Sequence, residues 1–187
     1  MNTPNKLTLL RVILIPIYMI LYLICGKIGT YFAIVVFVAA SITDQLDGYL
    51  ARKNNQVTTF GKLMDPLADK ILTMSALICF VAKDIPYVTA GVVMIILARE
   101  LIVTGIRQLA MGENKVIAAS MWGKAKTVSQ LVLIIAVMIF EVITLSFPAL
   151  STYCNILTLI LTVVATALTI YSGIDYIWKS RDLITFR

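Results

Sequence analysis

Acidic residues inside apolar sequence are the feature that most constrains what this chain can become. Asp44, Asp47, Asp65 and Asp69 lie in the window 41–71, and long apolar segments flank that window on both sides. They are four of only ten acidic residues in the whole chain. A carboxylate at membrane depth is costly unless it is paired, bound to metal or hydrated, so it indicates a functional site. Four in one window predict a cation-binding reaction centre.

Composition places the chain in a membrane. Of its 187 residues, 60% are hydrophobic and 14% are charged, and the mean hydropathy is +0.93. An ordinary soluble domain carries about 25% charged residues. Because a membrane span needs about 20 apolar residues, the length allows roughly six spans with short loops. We therefore expect an all-α integral membrane protein with a single domain over residues 1–187.

The apolar stretches and the basic residues together predict a topology. The predicted spans cover approximately residues 7–25, 30–52, 61–82, 86–110, 122–146 and 151–178. With six spans, 14 of the 16 Lys and Arg residues fall on the side of the two termini, and only Lys27 and Lys83 fall on the other. By the positive-inside rule both termini are cytoplasmic. The acidic window then lies at the cytoplasmic ends of spans two and three.

The remaining composition excludes several kinds of chemistry. Histidine is absent, which excludes a His general base, a Ser-His nucleophile pair and His-ligated zinc. Cys25, Cys79 and Cys154 are isolated from one another, as is typical of small buried hydrophobic residues. The net charge of +6 sits at helix ends, so membrane topology and an anionic substrate explain it better than nucleic acid does.

Helical spacing collects the acidic residues onto two stripes. Positions i, i+3, i+4, i+7 and i+8 share one face of a helix. The stripe on span two consists of Asp44, Asp47, Gly48, Ala51 and Arg52, and the stripe on span three consists of Gly61, Asp65 and Asp69. Two antiparallel helices joined by a short loop can turn these stripes toward each other. The four carboxylates would then converge.

Such a convergence needs compensating charge, because like charges this close cannot all stay ionised alone. Oxygen ligands without nearby His or Cys favour Mg²⁺ or Mn²⁺ over zinc. Gly48, Ala51 and Gly61 have almost no side chain, so a bulky group can approach the backbone. With Arg52, these features predict a site for a nucleotide diphosphate. Membrane carboxylates also serve proton relays and ion pathways, which leaves a transporter as an alternative.

The pattern DxxDGxxAR…GxxxDxxxD, which runs from Asp44 to Asp69, resembles the signature of the CDP-alcohol phosphotransferase family at every fixed position. Further segments are similar to the phosphatidylglycerophosphate synthase branch, and they lie at residues 4–11, 65–70, 98–100, 105–107 and 123–127. The resemblance implies six membrane helices, a polar cavity open to the cytoplasm, a bacterial plasma-membrane location and a homodimer.

The resemblance also implies roles for individual residues. Asp44, Asp47 and Asp65 would hold one Mg²⁺ or Mn²⁺ ion. Asp44, Asp65 and Asp69 would hold or adjoin a second, and Asp69 would be the general base. The residues expected to contact the donor, CDP-diacylglycerol, are Asn5, Thr8, Gly48, Ala51, Arg52, Thr58 and Gly61.

The reaction implied is transfer of the phosphatidyl group to sn-glycerol 3-phosphate, which gives phosphatidylglycerol phosphate and CMP. The acceptor bears a phosphate, so a second basic cluster is needed. We expect Arg107, Lys124 and Lys126 to supply it, together with Arg11, whereas Arg99 and Glu100 would neutralise one another.

Three alternatives to this function stay open. Another member of the family could use a different acceptor, as cardiolipin, phosphatidylinositol-phosphate and phosphatidylserine synthases do. A phosphate-binding cluster of Arg and Lys weakens the serine and plain inositol versions. A cation-coupled transporter would predict an inverted repeat, but residues 100–187 hold no second copy of the acidic pattern. A structural assembly subunit would leave four membrane aspartates unexplained.

Overall fold

The computed structural model describes the backbone of residues 3–53, 59–112 and 120–181, and the side chains of residues 9–43, 68, 70–110 and 120–181. Every regular element in these ranges is helical, which confirms the all-α prediction. The long helices are α1 (Thr3–Ile24), α2 (Gly26–Lys53), α3 (Thr59–Ala82), α4 (Ala90–Gly112), α5 (Met121–Ser146) and α6 (Ser151–Lys179). A short 3₁₀ turn, Pro148–Leu150, precedes α6.

Several helices have the length and composition of membrane spans. Within the described residues, three segments are long and apolar enough to cross a membrane: Gly26–Thr43 in α2, Met121–Ser146 and Pro148–Lys179. Leu9–Ile24 and Lys70–Ala82 are shorter apolar helices. The chain thus has the helices of a membrane protein, while the number of spans and the side of the termini stay predictions.

The chain divides into two compact units, and unit 1 consists of Met1–Asp84 and Met138–Ser151. In this unit α1 packs against α2 and α3, and α2 contacts α3. Aromatic rings fill the space between the helices. The Tyr18 ring lies 5.7 Å from that of Tyr22 and 5.6 Å from that of Phe37, and the Tyr22 ring lies 5.7 Å from that of Phe80. These centroid distances are those of favourable stacked and edge contacts.

The junction of α1 and α2 is tighter than the sequence predicted. The expected loop at residues 26–29 belongs to α2, and the break between the helices is confined to Cys25. Gly26 adopts a φ of 58°, in the left-handed region that glycine enters without a side-chain clash. A Cβ on Gly29 would clash with the carbonyl oxygen of Leu21. Two glycines therefore let the chain reverse with almost no loop.

The start of α4 also differs from the prediction. The fourth span was expected from residue 86, but α4 begins at Ala90. Asp84 and Tyr87 have φ values of 51° and 68°, which an α-helix cannot contain. The turn that these residues form delays the helix by about one turn.

Unit 2 consists of Ile85–Val137 and Thr152–Arg187. Val103, Ile106 and Tyr176 form a buried apolar cluster between α4 and α6. The buried face of α6 is made of small and hydroxyl residues, which are Cys154, Thr158, Thr162, Ala165, Thr169, Ser172, Gly173 and Tyr176. The Thr169 hydroxyl, for example, donates to the carbonyl of Ala165 at 2.6 Å. Such bonds satisfy a hydroxyl group within its own helix, and small residues allow close helix packing.

Candidate functional site

Helices α2 and α3 carry the acidic pattern at matching depths. Asp47 lies six residues before the end of α2 at Lys53, and Asp65 lies six residues after the start of α3 at Thr59. Asp44 lies nine residues before that end. Asp69 lies ten residues after that start.

At about 1.5 Å per residue, each pair stands roughly 9 or 14 Å from the helix ends that the connection 54–58 joins. Both helices belong to unit 1 and contact each other. The backbone therefore presents two acidic positions on each helix at similar heights.

Most of the residues predicted for this site have side chains that the structure does not describe. This holds for Asp44, Asp47, Asp65 and Asp69, and also for Asn5, Thr8, Gly48, Ala51, Arg52 and Gly61, whose backbone is helical. Thr58 lies outside the described residues altogether. Among the side chains that are described, no three His, Cys, Asp or Glu groups come together. The metal-binding and donor-binding roles of these residues therefore stay predictions.

The cations predicted for the acceptor phosphate fall into two classes of exposure. Arg107 and Lys124 are exposed, and the Arg107 guanidinium lies 5.9 Å from the ring centre of Tyr176. Arg11 and Lys126 are buried, Arg11 in unit 1 and Lys126 in unit 2. A buried cation at membrane depth is costly unless it is paired, so the buried members need anionic or polar neighbours.

Lys126 has such a neighbour, which sequence reasoning missed. Its ammonium donates to Oε1 of Glu100 on α4, and the Arg99 guanidinium donates to the same oxygen at 2.9 Å. The expected neutralisation of Arg99 by Glu100 is thus present, but Lys126 joins it. We refer to Arg99, Glu100 and Lys126 as the basic cluster. Lys126 lies 26 positions after Glu100, so no helical period in the sequence links them.

A second ionic group, in unit 1, was also missed. The Lys83 ammonium donates to Oε1 of Glu141 and lies 4.2 Å from the ring centre of Tyr22. The Tyr18 and Tyr22 hydroxyls and Oε2 of Glu141 are buried, without hydrogen-bond partners among the described residues. We refer to Lys83, Glu141 and Tyr22 as the neutral cluster. In the sequence Lys83 stands near a predicted loop, and nothing there indicates that it pairs with Glu141.

An apolar groove runs along α4 and α6 in unit 2. Its volume is about 280 Å³, and isoleucines such as Ile102 and Ile170 line it together with Arg99 and Gly173. Such a lining suits hydrocarbon better than a nucleotide diphosphate or a glycerol phosphate. The groove thus brings one cation, Arg99, to a surface that suits lipid.

Known proteins resemble the chain over nearly its whole length. The family model described as CDP-alcohol phosphatidyltransferase matches residues 1–171. A Bacillus subtilis protein is 38% identical, and the alignment covers 98% of this chain and 97% of that protein. A Haemophilus influenzae protein is 35% identical, over 96% of this chain and 94% of that protein. An Escherichia coli protein is 35% identical, over 70% of this chain and 73% of that protein.

All three relatives carry the name CDP-diacylglycerol–glycerol-3-phosphate 3-phosphatidyltransferase. The family match covers the α2–α3 pair with its acidic pattern and also the basic cluster of unit 2. It extends across all six long helices, as far as residue 171 in α6. The chain therefore belongs to the CDP-alcohol phosphatidyltransferase family.

Proposed function

We propose that this protein transfers the phosphatidyl group from CDP-diacylglycerol to sn-glycerol 3-phosphate, giving phosphatidylglycerol phosphate and CMP. The observation that carries the proposal is the alignment with transferases of that name across nearly all of both chains. The complete acidic pattern on α2 and α3 supports it, because this is the part of the chain suited to a diphosphate.

The acidic positions fit a divalent metal by the chemistry of their donor groups. Four carboxylates, with no histidine anywhere in the chain, offer oxygen ligands that suit Mg²⁺ or Mn²⁺. In our proposal Asp44, Asp47 and Asp65 hold one ion, and Asp44, Asp65 and Asp69 hold or adjoin a second. When bound, the metal neutralises charge on the diphosphate as the reaction proceeds.

The proposed step is a displacement at phosphorus. Asp69 accepts the proton from the primary hydroxyl of sn-glycerol 3-phosphate. That oxygen forms a bond to the phosphorus that carries diacylglycerol, while the bond from this phosphorus to the oxygen of the cytidylyl phosphate breaks. CMP leaves with the electron pair of that bond. A carboxylate is an adequate base when positioning and charge neutralisation lower most of the barrier.

The remaining predicted residues bind the two substrates. Gly48, Ala51 and Gly61 leave room for the nucleotide at the helix backbone. Arg52, Thr58, Asn5 and Thr8 complete the proposed donor site. The acceptor phosphate is assigned to Arg107, Lys124 and Lys126, with Arg11, since Arg and Lys are the residues that recognise phosphate.

We further propose the membrane arrangement that charge and length predict. Six spans form one domain in the bacterial plasma membrane, both termini are cytoplasmic, and a polar cavity opens to the cytoplasm. The protein acts as a homodimer in this proposal. Substituted-cysteine labelling from either side of the membrane tests the orientation, and light scattering in detergent tests the dimer.

The direct test of the reaction uses purified protein, CDP-diacylglycerol, Mg²⁺ and labelled sn-glycerol 3-phosphate. Label should enter the lipid phase in step with CMP release, and chelation of the metal should stop both. Asp69→Asn should lower the rate by about 10²–10⁴-fold, because it removes a general base. Asp175→Asn is the matched control, because Asp175 pairs with Lys179 on α6 in unit 2, whereas the acidic pattern belongs to unit 1. It should leave the rate unchanged.

Other outcomes would redirect the proposal. CMP release that requires a different alcohol would keep the family reaction and change the acceptor. If the folded protein releases no CMP with any alcohol, the transferase proposal fails and the transporter alternative returns. Equal activity of Asp69→Asn and wild type would remove Asp69 from the proposed proton transfer.

A further inference from the structure

Three buried polar atoms at the neutral cluster have no hydrogen-bond partner among the described residues. They are the hydroxyl oxygens of Tyr18 and Tyr22 on α1 and the carboxylate oxygen Oε2 of Glu141 on α5. Both tyrosines are fully buried, and the Glu141 side chain is 11% exposed. A buried polar group without a partner costs free energy, and native proteins leave very few of them. These three atoms therefore call for a further polar partner.

The described neighbours of these atoms do not supply that partner. Phe37 and Phe80 pack against the two tyrosine rings and are themselves fully buried. The Lys83 ammonium donates to the other carboxylate oxygen, Oε1, and contacts the face of the Tyr22 ring. The ion pair thus satisfies one oxygen of the carboxylate and leaves Oε2 to a different donor.

The spacing of the two tyrosine rings suits one small bridging molecule. The rings of Tyr18 and Tyr22 are stacked, with their planes 16° apart and their centres 5.7 Å apart. Two O–H···O hydrogen bonds in series span about 5.5 Å, because each has an O···O distance of about 2.7–2.8 Å. Hydroxyl groups held at the ring spacing are too far apart to bond to each other and close enough to share one oxygen atom between them.

The carboxylate of Glu141 lies beside the same two hydroxyl groups. Its oxygen Oε1 holds the Lys83 ammonium, which stands 4.2 Å from the centre of the Tyr22 ring. The Tyr22 hydroxyl approaches the carboxylate without the geometry of a full hydrogen bond. A molecule that satisfies all three atoms must donate to Oε2 and bond to two hydroxyls. Water does this, since a buried water makes about three hydrogen bonds to otherwise unsatisfied groups.

We propose that unit 1 holds one buried water molecule, which donates to Oε2 of Glu141 and accepts from the hydroxyls of Tyr18 and Tyr22. The water joins α1 to α5, whereas the ion pair joins the turn after α3 to α5. All three ligands belong to unit 1, and none of them has a part in the proposed reaction. This water belongs to the fold, because it completes the hydrogen bonding of the buried carboxylate.

The sign of a single substitution tests the proposal. Tyr18→Phe removes only a hydroxyl group. With the water in place, the variant should lower the SDS midpoint of unfolding, because a hydrogen bond in the buried group is lost. A hydroxyl that stays unpaired in the folded protein predicts the opposite, a raised midpoint, and that result would overturn the proposal. Tyr31→Phe is the matched control, because Tyr31 of α2 is 47% exposed, and it should leave the midpoint unchanged.

A double variant shows whether the two hydroxyls share one molecule. Tyr18→Phe and Tyr22→Phe should each lower the SDS midpoint. Together they should lower it by clearly less than the sum of the two shifts, because both remove bonds to the same water. Additive shifts would contradict a shared ligand. A direct bond from Tyr22 to Oε2 predicts that only Tyr22→Phe lowers the midpoint, which would also overturn the proposal.

A crystal structure of the wild-type protein that resolves ordered water decides the matter even if the variants do not fold. Electron density for one water oxygen should lie about 2.5–3.0 Å from Oε2 of Glu141 and from both tyrosine hydroxyl oxygens. Density that is missing at this place, or a hydroxyl that reaches Oε2 directly, would show that the buried group satisfies itself and that no water is bound.

Discussion

The neutral cluster of unit 1 and the basic cluster of unit 2 are both buried ionic groups, but they differ in the number of cations that contact one carboxylate oxygen. Lys83 and Glu141 form a one-to-one pair, with the ammonium 4.2 Å from the ring centre of Tyr22. In the basic cluster one carboxylate serves two cations. A balanced pair has no net charge to attract a ligand. In the basic cluster, by contrast, two cationic donors meet at one carboxylate oxygen.

We therefore expect the two clusters to contribute to different properties of the protein, one to its stability and the other to substrate binding. A balanced pair between the turn after α3 and helix α5 is worth most when both partners are present, because removing one partner leaves an isolated buried charge. In the basic cluster, Lys126 is also one of the residues proposed to bind the acceptor phosphate. Variants of unit 1 should therefore change the free energy of unfolding, and variants of the basic cluster should change acceptor affinity.

The largest expected effect on stability comes from breaking the balanced pair. Lys83→Met should lower the free energy of unfolding by about 3 kcal/mol, because Glu141 is left buried without its cation. Unfolding in mixed detergent and SDS measures this loss. The double variant Lys83→Met with Glu141→Leu should recover most of it. No recovery would mean that the cluster stabilises the fold by something other than charge balance.

Removing one cation from the basic cluster should cost less stability. Lys126→Met should lower the free energy of unfolding by about 1–2 kcal/mol, since Glu100 keeps its bond to Arg99. KM for sn-glycerol 3-phosphate should rise in the same protein. Steady-state kinetics and SDS unfolding on one preparation check both effects. If Lys126→Met costs as much stability as Lys83→Met and KM does not move, the contrast between the clusters is wrong.

Two glycine variants should change the free energy of unfolding by less, and one of them should raise it. Gly105→Ala should raise the free energy of unfolding by up to about 1 kcal/mol, because alanine is the better helix former and the added methyl meets nothing. Gly173→Ala should lose that gain, since its methyl would press on Arg99. The SDS midpoints of the two variants give the comparison. Equal midpoints would show that Arg99 moves aside freely.

The smallest effect is expected at an exposed ion pair. Lys179 and Asp175 pair at 2.7 Å near the end of α6, but the Lys179 side chain is 62% exposed. Water and salt screen such pairs, so Lys179→Gln should change the free energy of unfolding by less than about 0.5 kcal/mol. A loss near that of Lys83→Met would mean that burial does not distinguish the ion pairs of this protein.

The sequence predicts best those features that depend on the spacing of residues along a single helix. The six apolar stretches correspond to six long helices among the described residues, and the acidic positions fall on α2 and α3 as their spacing requires. The predicted helix boundaries at residues 26 and 86 were wrong, because the backbone conformation near these residues sets where each helix begins. Gly26 reverses the chain without a loop, and the positive φ at Tyr87 delays α4.

Pairings between distant positions could not be predicted from one sequence. Lys83 and Glu141 are 58 positions apart, and Glu100 and Lys126 are 26 apart. Nothing in the composition of either segment indicates its partner, because packing of whole helices brings them together. The roles of Asp44 and Asp69 in the proposed metal site stay predictions, since their side chains lie outside those described.

The central claim is that sn-glycerol 3-phosphate is the acceptor, and a competition among acceptors tests it most directly. Purified protein receives CDP-diacylglycerol labelled in its lipid part, Mg²⁺ and equal amounts of sn-glycerol 3-phosphate, serine, an inositol phosphate and phosphatidylglycerol. We predict that the label passes to phosphatidylglycerol phosphate, with an equal amount of CMP. Label in phosphatidylserine, a phosphatidylinositol phosphate or cardiolipin in its place would contradict the claim.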